Sequence, residues 1–367
     1  MTSTQQPNAW CNLPLQPSEP IWPQGEQVLL SPSGIATYAI CPRQFYYTHW
    51  LKLKTPASWS NIKGIWIHWL LERLSITEWR QHAMACDLLC ELATQCLTLK
   101  TPKAAISSTD DKLLMIAQAH QAFVDESSLY HAIAAGSKLQ RQHLLKWTHN
   151  SLRNLNDASF FQRAYHAKAW HSEVVFEAKT WTGTLTNVQE PTQPHPQSLL
   201  RGTADVLMQD PDGSWLLLDF KSLGATVLAQ KNVTTRLESL KRVFTAPDVS
   251  QASHRKKFPL KASQTKFYQL PVYYHLAMQQ PPVVVSHEGH QTAPKLSVGI
   301  QAVRPEADVT TLILASDFIA EHTPPLLEAL HQAMVQPLQQ ENQMPEAVSE
   351  KQACESCRVR QVCLKSV

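Results

Sequence analysis

The chain has 367 residues, of which 43% are hydrophobic and 17% are charged, so it can bury a sizeable core in one large domain or in two. A net charge of +3 is too small to identify a nucleic-acid partner by itself, and eight unevenly spaced cysteines do not form a disulfide scaffold. There is no secretory signal pattern and no apolar run of the roughly 20 residues that a spanning helix needs. We therefore expect a cytoplasmic protein with no membrane association.

The first part of the chain is predicted to be mostly helical. Residues 1–28 are rich in Pro, Gln and Asn and show no periodicity, which predicts a flexible arm before a folded domain over residues 29–367. The first helix is predicted to be capped by Ser33. Over residues 62–150, apolar residues recur at spacings of three and four and glycine is rare, which predicts a large helical subdomain. Pro102 interrupts it and divides it into separate helices.

The apolar pattern changes to alternation from about residue 170, which is typical of strands. The predicted strands cover residues 173–181, 202–208, 215–221, 283–285, 296–303 and 310–314. Pro211-Asp-Gly marks a turn that would join two of these strands into a hairpin. A helix is predicted over residues 265–278, after a basic insertion over residues 222–264. A Cys-rich tail over residues 350–367 follows.

The two strands of this hairpin carry the residues that most favour a chemical function. Asp205 lies in the first strand, and Asp219 and Lys221 end the second. Asp219 and Lys221 are two residues apart and point to one face, while Phe220 points to the other. The two carboxylates and the Phe220 carbonyl could bind Mg²⁺ or Mn²⁺, and Lys221 could stabilise charge on a phosphate. Because Asp-x-Lys is also common at strand ends, its surroundings must decide.

Six segments in a fixed order supply those surroundings. They are Ser31-Pro-Ser-Gly-Ile-x-x-Tyr38-x-x-Cys41-Pro-x-x-Phe45-Tyr-Tyr47, Gly64-Ile-Trp-Ile-His68, Glu173-Val-Val-Phe, Gly202-x-x-Asp205, Asp219-Phe-Lys221 and Gln269-Leu-Pro-Val-Tyr273. Together they resemble the RecB-like branch of the PD-(D/E)XK nuclease superfamily, which includes the AddB nuclease domain and the CRISPR-associated nucleases of the adaptation module. The resemblance extends over roughly residues 29–363 and is dense only at these segments.

The resemblance implies an α/β fold of the restriction-endonuclease type, with a mixed β-sheet flanked by helices. The nuclease core would cover about residues 170–320, and the helical subdomain would be a large insertion. His68, Asp205 and Asp219 would be metal ligands. Lys221 would be the catalytic lysine.

The resemblance also implies roles for three residues around this centre. Gln269 and Tyr273 lie four residues apart on one helix face, where they would support the site or contact the nucleic-acid backbone. Glu173 would belong to the catalytic set, although Glu177 could face the same way. Core packing is an equal explanation for Tyr273, and His68 alone could be an ordinary helix histidine among the sixteen of this chain.

Three cysteines near the C-terminus have the spacing of a metal site. They are Cys354, Cys357 and Cys363, and a Cys-x₂-Cys turn lets two thiolates reach one metal. Cys41 could supply the fourth ligand, which is the split arrangement of the iron–sulfur members of the RecB-like branch. A 4Fe–4S cluster held this way would join the N- and C-terminal parts of the domain, and structural Zn²⁺ is the alternative. Cys86 and Cys90 share a helix face, where buried unliganded thiols are the usual case.

Residues 231–266 contain nine basic and two acidic residues, which gives this segment a net charge of +7. The predicted DNA-binding residues here are Lys241, Arg242, Arg255, Lys256, Lys257, Lys261 and Lys266. Because the segment lies between the Lys221 strand and the Gln269 helix, a phosphate backbone at the metal site would pass it. A solvated loop is the alternative.

Three functions are compatible with these patterns. The first is a metal-dependent DNA exonuclease or end-processing nuclease acting on single strands or DNA ends. The second is a catalytically weak DNA-binding or scaffold subunit of a repair, CRISPR adaptation or mobile-element complex; the intact Asp205, Asp219 and Lys221 argue against it. The third is a structure-specific endonuclease. No Gly-rich phosphate loop is present, so any processive movement would come from a protein partner such as a helicase or an integrase.

Overall fold

The computed structural model describes residues 28–50, 52–53, 59–99, 111–178, 198–221, 269–279, 295–305, 311–321, 323–324, 327 and 357. The predicted arm up to residue 27, the basic insertion over residues 222–264 and the strand predicted at residues 283–285 lie outside these residues. Most of the Cys-rich tail lies outside them as well. No described helix combines the length and the apolar character that crossing a bilayer requires.

The fold begins with β1 (Val28–Leu30), followed by α1 (Pro32–Ile40), α2 (Pro42–Phe45) and a π-helical turn (Tyr46–Trp50). The N-cap of α1 is Ser31 and not Ser33, so that prediction is wrong. The Ser31 hydroxyl accepts a hydrogen bond from the Gly34 N–H over 3.0 Å. Pro32 can occupy the first helical position because the N–H that it lacks would have no partner there. The helix therefore begins before Ser33.

The helical part consists of α3 (Trp59–Glu72), α4 (Thr77–Arg80), α5 (Ala85–Thr98), α6 (Asp111–Asp125), α7 (Ser127–Ala134), α8 (Lys138–Asp157) and α9 (Phe160–His166). Its apolar faces pack in one cluster, which we call the rear core and which contains Trp66, Leu92, Phe123 and Phe160. Trp66 is fully buried, and its indole N–H donates to the Thr148 hydroxyl over 3.0 Å. That bond satisfies the one polar atom of a large buried ring.

The strands are β2 (Ala169–Ala178), β3 (Ser198–Gln209), β4 (Trp215–Lys221), β5 (Leu296–Ala302) and β6 (Thr311–Leu314), with α10 (Gln269–Ala277) between β4 and β5. They form a six-stranded sheet in the order β1-β3-β4-β5-β6, with β2 also paired to β3. β3 and β4 are antiparallel, whereas β4 and β5 are parallel. A mixed sheet flanked by helices confirms the predicted α/β architecture and agrees with a restriction-endonuclease-like fold.

The sheet separates two apolar cores. The front core contains residues of α1 and α10, among them Ile35 and Leu270, and the rear core covers the opposite face. β4 sends Leu217 into the front core and Leu216 and Leu218 into the rear core. This burial on both faces explains why β4 reads as a continuous apolar run and not as an alternating one.

The hairpin strands separate at one end. β3 pairs with β4 only from Val206↔Leu218 to Gln209↔Trp215, whereas the pairing of β4 with β5 continues to Lys221↔Ala302. The last residues of β4 therefore leave β3 and remain attached to β5. Asp205 and Asp219 lie where the two strands part.

Candidate functional site

Asp205 is fixed by contacts on both sides of its carboxylate. Its Oδ2 atom accepts a hydrogen bond from the backbone N–H of Phe220. Its Oδ1 atom lies 3.2 Å from Nδ1 of His68, on α3. A strand of the sheet, the neighbouring strand and a helix of the rear core thus meet at one carboxyl group.

Asp219 and Lys221 form a buried ion pair at the end of β4. Lys221 Nζ donates a hydrogen bond of 2.7 Å to Oδ1 of Asp219 and also lies 2.7 Å from Oδ2. The Oδ2 atom has this charge contact but no hydrogen bond, although Asp219 is only 2% exposed. A buried carboxylate oxygen without a hydrogen bond costs free energy, and a metal ion bound to that oxygen would offset the cost that the charge contact with Lys221 leaves.

Burial dominates the electrostatics of the pair. Burial raises the pKa of Asp219 to about 6, and the charge of Asp205 acts in the same direction; together they outweigh the opposing charge of Lys221. Burial lowers the pKa of Lys221, but the charges of Asp219 and Asp205 outweigh it and raise the pKa above its usual value. Lys221 therefore keeps its proton at neutral pH, and the carboxyl group of Asp219 takes up a proton at a higher pH than an ordinary aspartate does.

His68 faces the carboxylates from the helical side. Burial lowers the pKa of His68, but the hydrogen bond to Asp205 and the charge of that carboxylate raise it above the usual histidine value. The edge of the His68 ring contacts the Phe220 ring, with ring centroids 5.9 Å apart. This contact fixes the imidazole beside β4, so that Nδ1 points at Asp205.

Glu173 completes a three-residue cluster with His68 and Asp205. One potential ligand atom from each of the three residues lies within 4.8 Å of the other two. The pairs Ser172↔Val206 and Val174↔Ala204 flank Glu173, so its position in the register is directly opposite Asp205. Carboxylates facing each other across two strands repel. Glu173 is exposed, but the desolvation of its carboxylate within the cluster still raises its pKa, and the charge of Asp205 adds to the effect.

The backbone at Glu173 is also unusual. Its φ is +51°, a left-handed conformation that costs a non-glycine residue about 1–2 kcal/mol. Alternation reverses at this point: Trp170 packs in the rear core, but Phe176 packs in the front core. On β3 the same reversal separates Ala204, in the front core, from Val206, in the rear core. In a regular strand, residues an even number apart share a face.

The reversal has a geometrical consequence for the site. It places Glu173 and Asp205 at the boundary between the two faces of the sheet. His68 approaches these two residues from the rear core, and Tyr273 approaches them from the front core. Burial is the main cause that raises the pKa of Tyr273, and the charges of Asp205 and Glu173 raise it further. Residues from both faces of the sheet therefore act on the same carboxylates.

Gln269 and Tyr273 lie on α10 beside β3. The Tyr273 hydroxyl donates to the carbonyl of Thr203 over 2.8 Å, and the side chain is 6% exposed. Gln269 is 7% exposed, and its Oε1 atom has no hydrogen-bond partner among the described residues. Gly202 permits this approach, because a Cβ atom there would lie 3.1 Å from the Tyr273 ring and 3.0 Å from Pro32.

The donor set fits a hard divalent cation. Carboxylate oxygens from Glu173, Asp205 and Asp219 are the ligands that Mg²⁺ and Mn²⁺ prefer, and the imidazole of His68 suits Mn²⁺ as well. A cation beside these groups would give the buried Oδ2 atom of Asp219 a ligand bond and would offset the repulsion between Glu173 and Asp205. The residues that the sequence predicted as ligands therefore have the chemistry and the positions that a divalent metal ion requires.

Comparison with protein families identifies the fold and its chemistry together. The family model described as the PD-(D/E)XK nuclease superfamily matches residues 29–364. The chain belongs to the PD-(D/E)XK nuclease superfamily. Membership supports a nuclease that acts on DNA and typically uses divalent metal ions. A search of curated proteins gives no match.

Several predicted site residues of this PD-(D/E)XK nuclease come together in the fold. Besides the Asp219–Lys221 pair, the structure brings together His68, Glu173 and Asp205, and it places α10 against β3. Glu177 is not part of this cluster, because it forms an exposed ion pair of 3.1 Å with Arg201. The cluster thus contains Glu173 and not Glu177, and the catalytic role of Glu173 stays a prediction.

The other predicted sites lie mainly outside the described residues. The seven predicted DNA-binding residues lie there, as do Cys354 and Cys363. Cys41, at the C-terminal end of α1, and Cys357 are half-buried. Cys41 takes part in no disulfide within the described part of the chain.

Two features of the site were missed by sequence reasoning. One is the backbone N–H of Phe220, where only the carbonyl had been considered. The other is the left-handed backbone at Glu173. A single sequence gives no indication of either feature. Every residue but proline has an N–H, so that of Phe220 does not stand out, and glutamate seldom adopts a positive φ, so none is expected at Glu173. The placement of Gly202 three residues before Asp205 was the available clue to a close approach.

Proposed function

We propose that this PD-(D/E)XK protein is a metal-dependent DNA nuclease whose centre is formed by His68, Glu173, Asp205 and Asp219, with Lys221 as the catalytic lysine. The observation that carries the proposal is the buried Oδ2 atom of Asp219, which has no hydrogen bond and lies beside a second cluster of metal-ligand side chains. The ion pair with Lys221 gives that oxygen a charge contact at 2.7 Å but no hydrogen bond.

Each residue has a distinct task in the proposed reaction. A bound Mg²⁺ or Mn²⁺ supplies Lewis-acid polarisation of the scissile phosphate. Lys221 keeps its proton and donates to charge that develops on the phosphoryl oxygens or orients the attacking water. Asp219 holds the Lys221 ammonium in place through the 2.7 Å hydrogen bond. His68 and the Phe220 N–H hold Asp205 so that its carboxylate needs no reorganisation.

Three further residues belong to the proposal in a supporting role. The carbonyl of Phe220 would complete the oxygen ligands of the metal. Tyr273 would hold β3 through its bond to the Thr203 carbonyl, and Gln269, whose Oε1 atom is buried and unpartnered, would contact the substrate or a water at the site. All three are in or beside the strands that carry the carboxylates.

Cleavage at strand ends, on single-stranded DNA or DNA ends, is the proposed mode of action. A helicase, an integrase or another complex subunit would be the protein partner that moves or delivers the DNA. A panel of single-stranded and duplex DNA, each supplied as an end-labelled linear molecule and as a closed circle labelled internally, separates end processing from internal cleavage. Cleavage of closed circles would assign the protein to the endonucleases instead.

Substitutions at the centre test the nuclease proposal directly. Asp219→Asn and Lys221→Gln should each lower Mg²⁺- or Mn²⁺-dependent cleavage by about 100-fold or more, because each removes a group that stabilises the transition state. Glu177→Gln is the matched control: it alters a carboxylate on the same strand as Glu173, but one that is exposed and paired with Arg201. Circular dichroism checks the fold of all three. Undiminished cleavage by either centre variant would refute the assignment.

A 4Fe–4S cluster on Cys41, Cys354, Cys357 and Cys363 is a second part of the proposal. Cys41 and Cys357 retain partial exposure, as ligands of a cluster near the surface need. The Cys41 backbone N–H donates to the Thr37 carbonyl over 2.9 Å and ends α1, so the thiol is attached to an ordered element. Structural Zn²⁺ on the same thiols is the alternative.

A further inference from the structure

α8 carries a basic groove that lies on residues with no part in the metal site. The groove is open, has a volume of about 320 Å³, and is lined by Gln142, Leu145, Lys146, His149, Asn150 and Arg153. These positions recur every three or four residues and therefore lie on one face of the helix. Gln142 and Arg153 are eleven positions apart, which corresponds to about 16 Å of helix, so the groove follows roughly three turns.

The charge of the groove is one-sided. Lys146 and Arg153 are exposed cations, and no carboxylate is among the lining residues in the described part of the chain. Within the same residues neither cation has an ion pair with a carboxylate, whereas Glu91 on the adjacent α5 is paired with Lys112 at 3.1 Å. The side-chain amides of Gln142 and Asn150 add neutral donors to the same face. Such a surface is complementary to an anion.

The groove is held in shape by the helix beneath it. His149 Nε2 lies 3.0 Å from the carbonyl of Cys90 and 3.1 Å from the Thr94 hydroxyl, both on α5. A carbonyl can only accept, so Nε2 is the donor and His149 attaches α8 to α5. His149 is thus a positioning residue, and the two cations stand on either side of it along the helix.

The spacing of the cations suits a polyanion better than a single phosphate. Lys146 and Arg153 are seven residues apart, which is about 10 Å along the helix axis. Two cations this far apart along one helix face can contact separate phosphates of the same DNA strand. Leu145, half-buried next to Lys146, offers an apolar contact to an unstacked base or sugar, which a duplex would keep inside.

We propose that this basic groove binds the phosphodiester backbone of single-stranded DNA, as a second contact surface outside the metal centre. The inference rests on the proposed function, because the bound strand is the substrate of that centre. Lys146 and Arg153 bind two phosphates of one strand, and Gln142 and Asn150 donate to the backbone between and beside them.

The test measures binding separately from cleavage. Fluorescence anisotropy of a labelled single-stranded oligonucleotide is followed with the full chain in EDTA, over a series of KCl concentrations. The double variant Lys146→Gln/Arg153→Gln should bind about tenfold more weakly near 0.1 M salt. The negative slope of log K, the association constant, against log[salt] should become shallower by about 1.4, because two phosphate contacts are lost. Lys138→Gln/Lys168→Gln is the matched control, with the same change of net charge at two exposed lysines outside the groove. The control should change neither quantity.

Four outcomes decide between the groove, its alternatives and the nuclease proposal. Equal weakening by both double variants would show that net charge, and not the groove, governs binding. Displacement of the strand from the wild type, but not from the groove variant, by inorganic phosphate at matched ionic strength would show a small-anion pocket. If the wild type cleaves with Mn²⁺ and the groove variant binds the oligonucleotide as tightly as the wild type, the groove proposal alone is refuted. A protein that shows the groove effect but cleaves nothing refutes the nuclease proposal alone.

Discussion

At the scale of single residues, the site contains two costs that a metal ion would offset. Glu173 combines a φ of +51° with a position opposite the carboxylate of Asp205. Asp219 has a buried oxygen without a hydrogen bond. Strained backbone and unsatisfied polar atoms persist where the surrounding structure imposes them, and they concentrate at functional sites. The metal-free protein should therefore gain stability when either cost is removed.

Replacing the two glutamates of β2 by glycine should change stability in opposite directions. Glu173→Gly removes both the left-handed strain and the repulsion with Asp205, so the metal-free protein should gain about 1 kcal/mol. Glu177→Gly, in ordinary strand backbone, should lose about 0.5–1 kcal/mol from added chain entropy. Urea unfolding in EDTA measures both, and titration with Mn²⁺ should stabilise Glu177→Gly more than Glu173→Gly. A loss of stability in both variants would contradict a strained Glu173.

At the scale of elements, two glycines in the segments that resemble the nuclease family differ in whether the packing around them explains the absence of a side chain. Gly202 lies where α1 and α10 approach β3, and a Cβ there would come within 3.0–3.1 Å of Pro32, Tyr273 and Leu276. Gly64, in the middle of α3, has nothing within 4 Å of the place where its Cβ would be. Packing explains the first glycine and leaves the second unexplained. Gly64 lies one helical turn before His68, so the open space beside it borders the candidate site.

Alanine at these two glycines should separate packing from function. Gly202→Ala should cost about 1–3 kcal/mol, because three neighbours must move and the Tyr273–Thr203 hydrogen bond is disturbed. Gly64→Ala should stabilise α3 by up to about 1 kcal/mol, since glycine is a poor helix former and the methyl group meets no atom. Urea unfolding measures the sign of each change in the free energy of unfolding, and the cleavage rate of each variant is measured alongside. If Gly64→Ala were destabilising, the open space beside α3 would be filled in solution.

At the scale of the whole molecule, the proposed cluster would connect elements that are far apart in the chain. Cys41 ends α1, which packs in the front core beside α10, whereas Cys357 lies near the C-terminus. A link between them would close most of the chain into one loop, and such a link restricts the unfolded state more as the loop lengthens. The cluster would then stabilise the domain without any contact to the metal centre.

Removing one proposed ligand should release the metal and lower the melting temperature. Cys41→Ser should lose most of the iron, about four atoms per chain in the wild type, together with the thiolate–iron absorbance. Cys90→Ser is the control, because Cys90 is a half-exposed thiol on α5 outside the proposed ligand set. Iron and zinc analysis with thermal unfolding measures both effects. Stoichiometric zinc without iron in the wild type would establish the structural Zn²⁺ alternative.

Local patterns were sufficient for much of the architecture. The strand predicted over residues 215–221 is β4 with the same bounds, and those predicted at residues 296–303 and 310–314 correspond to β5 and β6 within one residue. The period of two along β4 also gave the shared face of Asp219 and Lys221, which the 2.7 Å hydrogen bond between their side chains bears out. Strand bounds and the faces of a strand depend on residues that are adjacent in the chain, so the sequence alone is sufficient to predict them.

The sequence by itself determined the element types, the Asp219–Lys221 pair and the ordered segments that carry the family resemblance. Only the tertiary structure decided that Asp205 is held by His68 and the Phe220 N–H, that Glu173 and not Glu177 reaches the cluster, and that the strands reverse their faces there. These outcomes depend on contacts between residues distant in the chain. A repeating pattern records which side of an element is buried, but not which distant backbone atom a side chain meets or where packing forces a residue into positive φ.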